Sequence, residues 1–339
     1  VMKPVFERAA QNPKRVIYAE GEDSRVLRAA QLALDENLAK PILIGRPEVI
    51  RTRVERLGLR FTLGEDVDYI NPNSDPRYRT YWTTYHRLME RKGVQPDDAR
   101  TIVRTNQTVI AALAVHLGDA DAMICGVEGS YSGHVAHIED VIGKAPGVRT
   151  LSALSLLLTP QGAFFMTDTY VSFDPPVDAV VEMTLQAAES VRSFGITPKV
   201  ALLSHANFGD ADSPTAAKMR EAVHRLHRDH PDLEVEGEMH GDAAVAEDVR
   251  LRIFPNSKLS GTANLLVMPG LDAANIAMNL VRTLGEGLSI GPILLGSRAP
   301  AHVLTPSVTA RGVVNMSALA VVDAQDHART GADSRRVTS

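Results

Sequence analysis

Val16-Ile17-Tyr18-Ala19-Glu20-Gly21-Glu22-Asp23-Ser24 is the stretch on which the fold class turns. An apolar, partly β-branched run ends in an acidic turn with one glycine, and Ser24 is placed to cap a helix. From Ser24 to about Asn37, residues Val26, Leu27, Ala30 and Leu34 recur on one helical face. Pro41-Ile42-Leu43-Ile44-Gly45 is a second strand, and a second helix follows from Pro47. This alternation of strand and helix predicts a mainly parallel α/β sheet covered on both faces.

Outward from there the rhythm continues with one interruption. Residues 68–106 are more polar, with a loop over Asn71–Pro76 and helices over Tyr81–Lys92 and Pro96–Leu117. Asp121–Cys125 reads as a strand, Gly126–Gly133 as a glycine-rich loop and His134–Ile142 as a helix. After Ala145-Pro146-Gly147, two extended apolar runs, Leu151–Leu158 and Ala163–Val171, read as a hairpin. Strands then fall at Lys199–Ser204, Leu233–Glu236, Asn264–Met268 and Ile290–Leu295. Helices fall at Val177–Phe194, Pro214–His230, Ala243–Ile253, Asp272–Leu284 and Arg311–Ala324. The polar tail from Arg329 reads as frayed.

Length and composition narrow the class. At 339 residues the chain exceeds the usual single-domain size, so two domains are expected. With 44% apolar and 23% charged residues it can bury a sizeable core. The net charge of −5 argues against a nucleic-acid surface. Cys125 is the single cysteine, so no intramolecular disulfide forms. Its apolar run marks a core residue, and such usage fits the cytoplasm. No apolar stretch reaches the roughly 18 residues of a membrane span, and Val1-Met2-Lys3-Pro4 is no signal peptide. A start at Val1 reads as a cut from a longer polypeptide.

Residue chemistry alone offers weak sites. Gly126–Gly133, between a strand and a helix, is either an anion-binding loop or a plain turn. Gly296-Ser297-Arg298-Ala299-Pro300, continuing to Thr305-Pro306-Ser307, offers Arg298, with Arg311 beyond, to a phosphate, or simply two surface arginines. His224, His227 and His230, like His134 and His137, are three apart, but further converging ligands are lacking; a solvated face is expected and no metal. Glu20, Glu22 and Asp23 bind a cation or cap the next helix, and capping is the better reading. There is no nucleophile elbow, and Cys125 has no activating neighbour in sequence.

From about Lys14 to Ala324 the sequence resembles the phosphate acetyltransferase family. The collinear segments are Arg15–Asp23, Leu117-Gly118-Asp119-Ala120-Asp121-Ala122-Met123, Lys144-Ala145-Pro146-Gly147, Ser193–Pro198, Gly241-Asp242-Ala243-Ala244 and Ile290–Gly296. The resemblance implies two α/β domains with mainly parallel sheets and an acyl-CoA cleft between them. It divides the chain into residues 1–147 plus 299–339 and residues 148–298, the latter carrying the dimer interface.

The family's catalytic motif, Asn-Asp-Leu-Ser-Arg-Gly with an aspartate six residues past the arginine, is altered here. It aligns with His302-Val303-Leu304-Thr305-Pro306-Ser307, so Thr305 keeps a hydroxyl, Pro306 loses the guanidinium and Gly312 loses the carboxylate. Two further family arginines align with Met89 and Ala136. No catalytic residue is therefore expected, since losing even one oxyanion donor costs about 10²–10³ in rate. Leu202–Gly209, Val303–Ser307 and Arg87–Gly93 resemble the phosphotransacetylase-like region that follows the catalytic half of large bacterial NADP-dependent malic enzymes.

That resemblance implies a regulatory region binding acetyl-CoA as an allosteric effector of malate decarboxylation. Gly133, His134, Asn207, Arg298, Thr305 and Asn315 are the expected acetyl-CoA contacts. It also implies a homo-oligomer, dimer or higher, joined in cis to a catalytic half that would hold NADP and a divalent metal. Neither nucleic acid nor membrane is an expected partner. The alternatives are an active phosphate acetyltransferase and a purely oligomerising architectural module.

Overall fold

The computed structural model describes the backbone of residues 1–337 and the side chains of residues 1–329. It opens with α1 (Met2–Gln11) and β1 (Lys14–Tyr18). Asp23, rather than Ser24, caps α2 (Ser24–Asp35): Asp23 keeps the extended backbone a cap needs, and its carboxylate accepts the Arg25 N–H at 2.7 Å. Then come β2 (Ala39–Ile44), α3 (Pro47–Arg56), β3 (Asp68–Ile70), α4 (Tyr78–Met89), α5 (Pro96–Thr105) and α6 (Gln107–His116). The single helix expected over Pro96–Leu117 is thus two. Asn106 leaves helical geometry at φ −111°, ψ 103°, and its side chain caps α6 through the Val109 N–H. β4 (Ala122–Cys125) and α7 (Tyr131–Val141) follow.

The hairpin is formed by β5 (Ser152–Thr159) and β6 (Gly162–Thr167). β6 stops short of Val171 because the Asp168 carboxylate gathers the N–H groups of Tyr170, Val171 and Ser172 into a turn. Next are α8 (Val177–Ser193), β7 (Val200–Leu203), α9 (Pro214–Asp229), β8 (Val235–Met239), α10 (Gly241–Val245) and α11 (Glu247–Ile253). The helix expected over Ala243–Ile253 is broken at Ala246, which is extended. The remaining elements are β9 (Leu265–Val267), α12 (Leu271–Leu284), β10 (Leu288–Leu295), β11 (Ala301–Val303) and α13 (Ala310–Val337). α13 runs past Ala324 and through the tail read as frayed, to Val337; residues 338 and 339 lie outside the described residues.

The chain forms two compact units, residues 2–146 with 297–339 and residues 147–296. Ser297 and Arg298 thus fall in the first unit and Gly147 in the second. The first unit holds a five-stranded, wholly parallel sheet in the order β11-β4-β1-β2-β3. Its centre is apolar on both faces: Ile17 and its register partners Ile42 and Met123 lie on one face, Val16 and Tyr18 on the other, all buried. α6 is buried from Thr108 to Val115, which explains its lack of a polar face.

The second unit holds a six-stranded sheet ordered β10-β5-β6-β9-β7-β8. It is antiparallel across β10, β5 and β6 and parallel from β6 through β9 and β7 to β8. Leu157, Met166, Leu266, Met239 and Met268 form part of one core cluster there. Among the described residues, no helix is long and apolar enough to cross a membrane.

Candidate functional site at the strand ends of the first unit

β11, β4 and β1 are neighbours, and their carboxyl ends release three loops, the usual place for ligands in a parallel sheet. Backbone bonds draw these loops together: Ala19 N–H to the Ile124 carbonyl at 2.9 Å and Leu304 N–H to the Cys125 carbonyl at 2.7 Å. Gly126 lies between them at φ +96°, and a Cβ there would fall 2.5 Å from the Leu304 carbonyl oxygen. Only glycine fits that conformation and that approach together.

Two charged side chains fasten the cluster, and sequence reasoning missed both roles. Glu20 accepts the Gly126 N–H at 2.9 Å. Burial pushes its carboxyl up to about 7, helped by nearby Glu128 and Asp23 and opposed by the Gly126 bond. The Arg25 guanidinium pairs with Asp23 at 2.9 Å and donates to the carbonyls of Pro306 at 2.6 Å and Val127 at 3.1 Å. Glu22 instead pairs with Arg46 at 2.8 Å, which lowers the Glu22 carboxyl. The acidic run is therefore used up in a cap, an ion pair and a loop clamp. Its only signal in sequence was the density of acids after β1.

The expected ligand contacts are spread over both units. Ser130 caps α7, accepting the Gly133 N–H at 3.3 Å, so Gly133 lies in the first helical turn rather than on the loop. His134 is fixed at both ring nitrogens: Nε2 donates to the Glu128 carbonyl at 2.7 Å, and Nδ1 meets the Thr108 hydroxyl at 2.8 Å. Thr305 follows β11, with its hydroxyl 3.1 Å from that of Ser307. Asn315 is 6% exposed on α13. Arg298 lies before β11, at the opposite end of that strand from Thr305, and its Nε donates to the Lys144 carbonyl at 3.3 Å. Asn207 belongs to the second unit, where its side-chain oxygen accepts the His240 N–H at 2.9 Å.

Of the residues expected to replace the family's charged groups, Met89 is buried at the end of α4 and Ala136 is exposed on α7. Pro306 is exposed, and Gly312 is in the first turn of α13. A Cβ on Gly312 would lie 2.8 Å from a Val308 methyl, so a carboxylate there needs that side chain to shift. Arg311 pairs with Glu36 at 3.1 Å and lies over the Phe6 ring, as a surface arginine does. Cys125 is buried, and burial holds its thiol well above the usual range. On α9, His224 is exposed and His227 donates to the Val235 carbonyl at 2.8 Å, and His230, just past the end of the helix, is exposed. Among the described residues no group of three or more His, Cys, Asp or Glu is arranged to hold a metal ion.

The profile of the family described as phosphate acetyl/butaryl transferase matches residues 1–321. A protein named NAD-dependent malic enzyme from Rhizobium meliloti (strain 1021) is 58% identical over 95% of this chain and 42% of its own length. One named NADP-dependent malic enzyme from Escherichia coli (strain K12) is 49% identical over 96% of this chain and 43% of its own. The chain thus spans less than half the length of these relatives. A phosphotransacetylase structure from Streptococcus pyogenes superposes with a TM-score of 0.86 at 28% identity, covering 96% of this chain and 97% of the other. In sequence and in architecture, the chain belongs to the phosphate acetyl/butaryl transferase family.

Proposed function

We propose that this chain is the non-catalytic regulatory region of a malic enzyme and binds acetyl-CoA as an allosteric effector of malate decarboxylation. The observation that carries this reading is the charge of the loop cluster. Acyl transfer to phosphate needs cations for the phosphate and the developing oxyanion. Here Met89, Ala136 and Pro306 stand at the family's arginine positions, and Arg25 is spent on Asp23 and on loop carbonyls. What is left suits holding an acyl-CoA better than turning it over, with Gly133, His134, Thr305 and Asn315 as contacts and Arg298 at the far end of β11. Calorimetry with acetyl-CoA tests the proposal: saturable binding is expected, and no heat at millimolar ligand sinks it.

One observation favours an active acetyltransferase instead. A carboxyl held near 7, as Glu20 is, has the proton affinity of a general base. A thiol-release assay with acetyl-CoA and phosphate decides between them, and turnover of about 1 s⁻¹ or more would establish the enzyme.

The homo-oligomer rests on α12, whose Ile276, Leu280, Val281 and Leu284 are exposed, as is Leu288 at the start of β10. Such a contiguous apolar face supports a dimer through the second unit. Light scattering of Leu280→Lys is expected to report a monomer. NADP and a divalent metal are assigned to a catalytic half outside these residues, and the whole enzyme to the cytoplasm. Because the 58% relative is named for NAD, assaying the longer protein with both nucleotides decides the coenzyme.

A further inference from the structure

We infer that the second unit carries a separate binding site, along the free edge of its sheet, for a small organic monoanion with a flat aromatic body. β8 is an edge strand, and a cavity of about 400 Å³ runs beside it, lined wholly by residues between 208 and 258. That volume is within the range of small-molecule pockets. One wall is a stripe of α9, Arg220, Val223, His224 and His227, at the spacing that puts four side chains on one helical face. His224 and His227, two of the three histidines spaced three apart here, are part of this wall.

The aromatic part of the argument rests on Phe208 and Phe254. Their rings stack at 4.5 Å and 16° and both line the cavity. Phe208 is held at φ +48°, a left-handed conformation that a bulky residue seldom adopts. Strain of this kind collects at functional sites, and here it places a ring against the cavity.

The charge of the ligand follows from which polar groups are already satisfied. Glu236 is 3% exposed, and its carboxylate accepts the Lys258 N–H at 2.8 Å and the Gly237 N–H at 3.2 Å. Glu238 is 1% exposed and accepts the Gly209 N–H at 2.9 Å and the Arg220 guanidinium at 3.0 Å. Neither carboxylate needs a cation from outside. By contrast, the Lys258 ammonium, the His224 ring and the Asn256 amide, which also line the cavity, make no hydrogen bond among the described residues. The Lys258 ammonium can only donate, and the His224 ring and Asn256 amide can each donate beside it, a set that suits an anion. With Arg220 paired to Glu238 and Glu236 held by backbone N–H groups, Lys258 is, among the described residues, the one cation of the lining left to meet a ligand, which suits a single negative charge better than a phosphate dianion.

Calorimetry on the full chain with naphthalene-2-carboxylate as probe tests this site. One-to-one saturable binding is expected, with the uncharged naphthalene-2-carboxamide and inorganic phosphate each weaker by about tenfold or more. Lys258→Glu, an exposed change, is expected to weaken the probe about tenfold with an unaltered unfolding midpoint. Phe254→Ala should do the same, and if it unfolds the unit, His224→Gln supplies the second variant, with about threefold weaker binding. No binding at about 10 mM probe, equal affinity for acid and amide, or wild-type binding by Lys258→Glu would each overturn the site. Acetyl-CoA is expected to leave probe binding unchanged. Competition between them would overturn the claim that this site is separate, whatever becomes of the regulatory reading.

Discussion

Two glutamates, the half-buried Glu20 of the first unit and the buried Glu238 of the second, are handled in opposite ways. Glu20, under the loop cluster of the first unit, accepts the Gly126 N–H and has the acids Asp23 and Glu128 for neighbours. Glu238, beside the edge groove of the second unit, accepts the Gly209 N–H and is paired with Arg220. Each carboxylate therefore clamps a glycine that follows a parallel strand, Gly126 after β4 and Gly209 after β7. The glycine N–H is shared; the cation is not. What differs between the regions is whether the clamping carboxylate has a cation beside it to offset its charge.

The glycines themselves give the largest expected contrast. Gly126 and Gly209 both have left-handed backbones, at φ +96° and φ +91°. Gly209→Ala meets nothing within 4 Å, so only backbone strain applies, about 1 kcal/mol. Gly126→Ala adds a collision with the Leu304 backbone, and the loss expected is about 4 kcal/mol. Urea unfolding of the two variants measures the difference. Equal losses would mean that the first-unit loops are as loosely joined as those of the second.

Glu20→Gln is expected to stabilise the protein. The folded state raises this carboxyl from 4.5 to about 7, so ionisation disfavours folding. The penalty is absent below about pH 4, grows as pH rises through the unfolded value and is complete above about pH 7. Glutamine keeps an acceptor for the Gly126 N–H without the charge. The gain expected at pH 8 is about 3 kcal/mol, fading to none near pH 4. Glu238→Gln has the opposite sign at pH 8, because it leaves Arg220 without its counter-charge. Urea titrations of both variants at pH 4.5 and pH 8 make the comparison, and a Glu20→Gln variant no more stable at pH 8 would show Glu20 ionised at no cost.

The long periodic elements were legible in the sequence and the contacts between them were not. α2, α8, α9 and α12 follow directly from apolar spacing, and the β5–β6 hairpin from two extended runs about Pro160. β3 and β11 have three residues each, too few to show a period, yet β11 brings the third loop to the candidate site. Helix breaks at Asn106 and Ala246 depend on single extended residues inside otherwise helical composition. Gly312 and Pro306 were visible as departures from a family motif. Arg25 was not, because its partners Val127 and Pro306 are more than a hundred residues away and are contacted through their carbonyls. A backbone acceptor leaves no signature in residue identity.

The smallest expected effect concerns the two ends of β11. Thr305 lies beyond its carboxyl end, in the loop cluster, and Arg298 precedes its amino end, hydrogen-bonded to the Lys144 carbonyl. If the ligand reaches from the cluster along this strand, Arg298→Glu turns an attraction for an anionic ligand into a repulsion at an exposed position. Screening limits an exposed charge to about 1 kcal/mol, so acetyl-CoA should bind about fivefold more weakly. The unfolding midpoint should stay put, since the donor bond to Lys144 is 3.3 Å long and exposed. The affinity loss should shrink in about 1 M salt, where charges more than about 3 Å apart are screened. Calorimetry at low and high salt reads both effects. Unchanged affinity at low salt would remove Arg298 from the ligand's path and confine the binding surface of the first unit to the carboxyl ends of its strands.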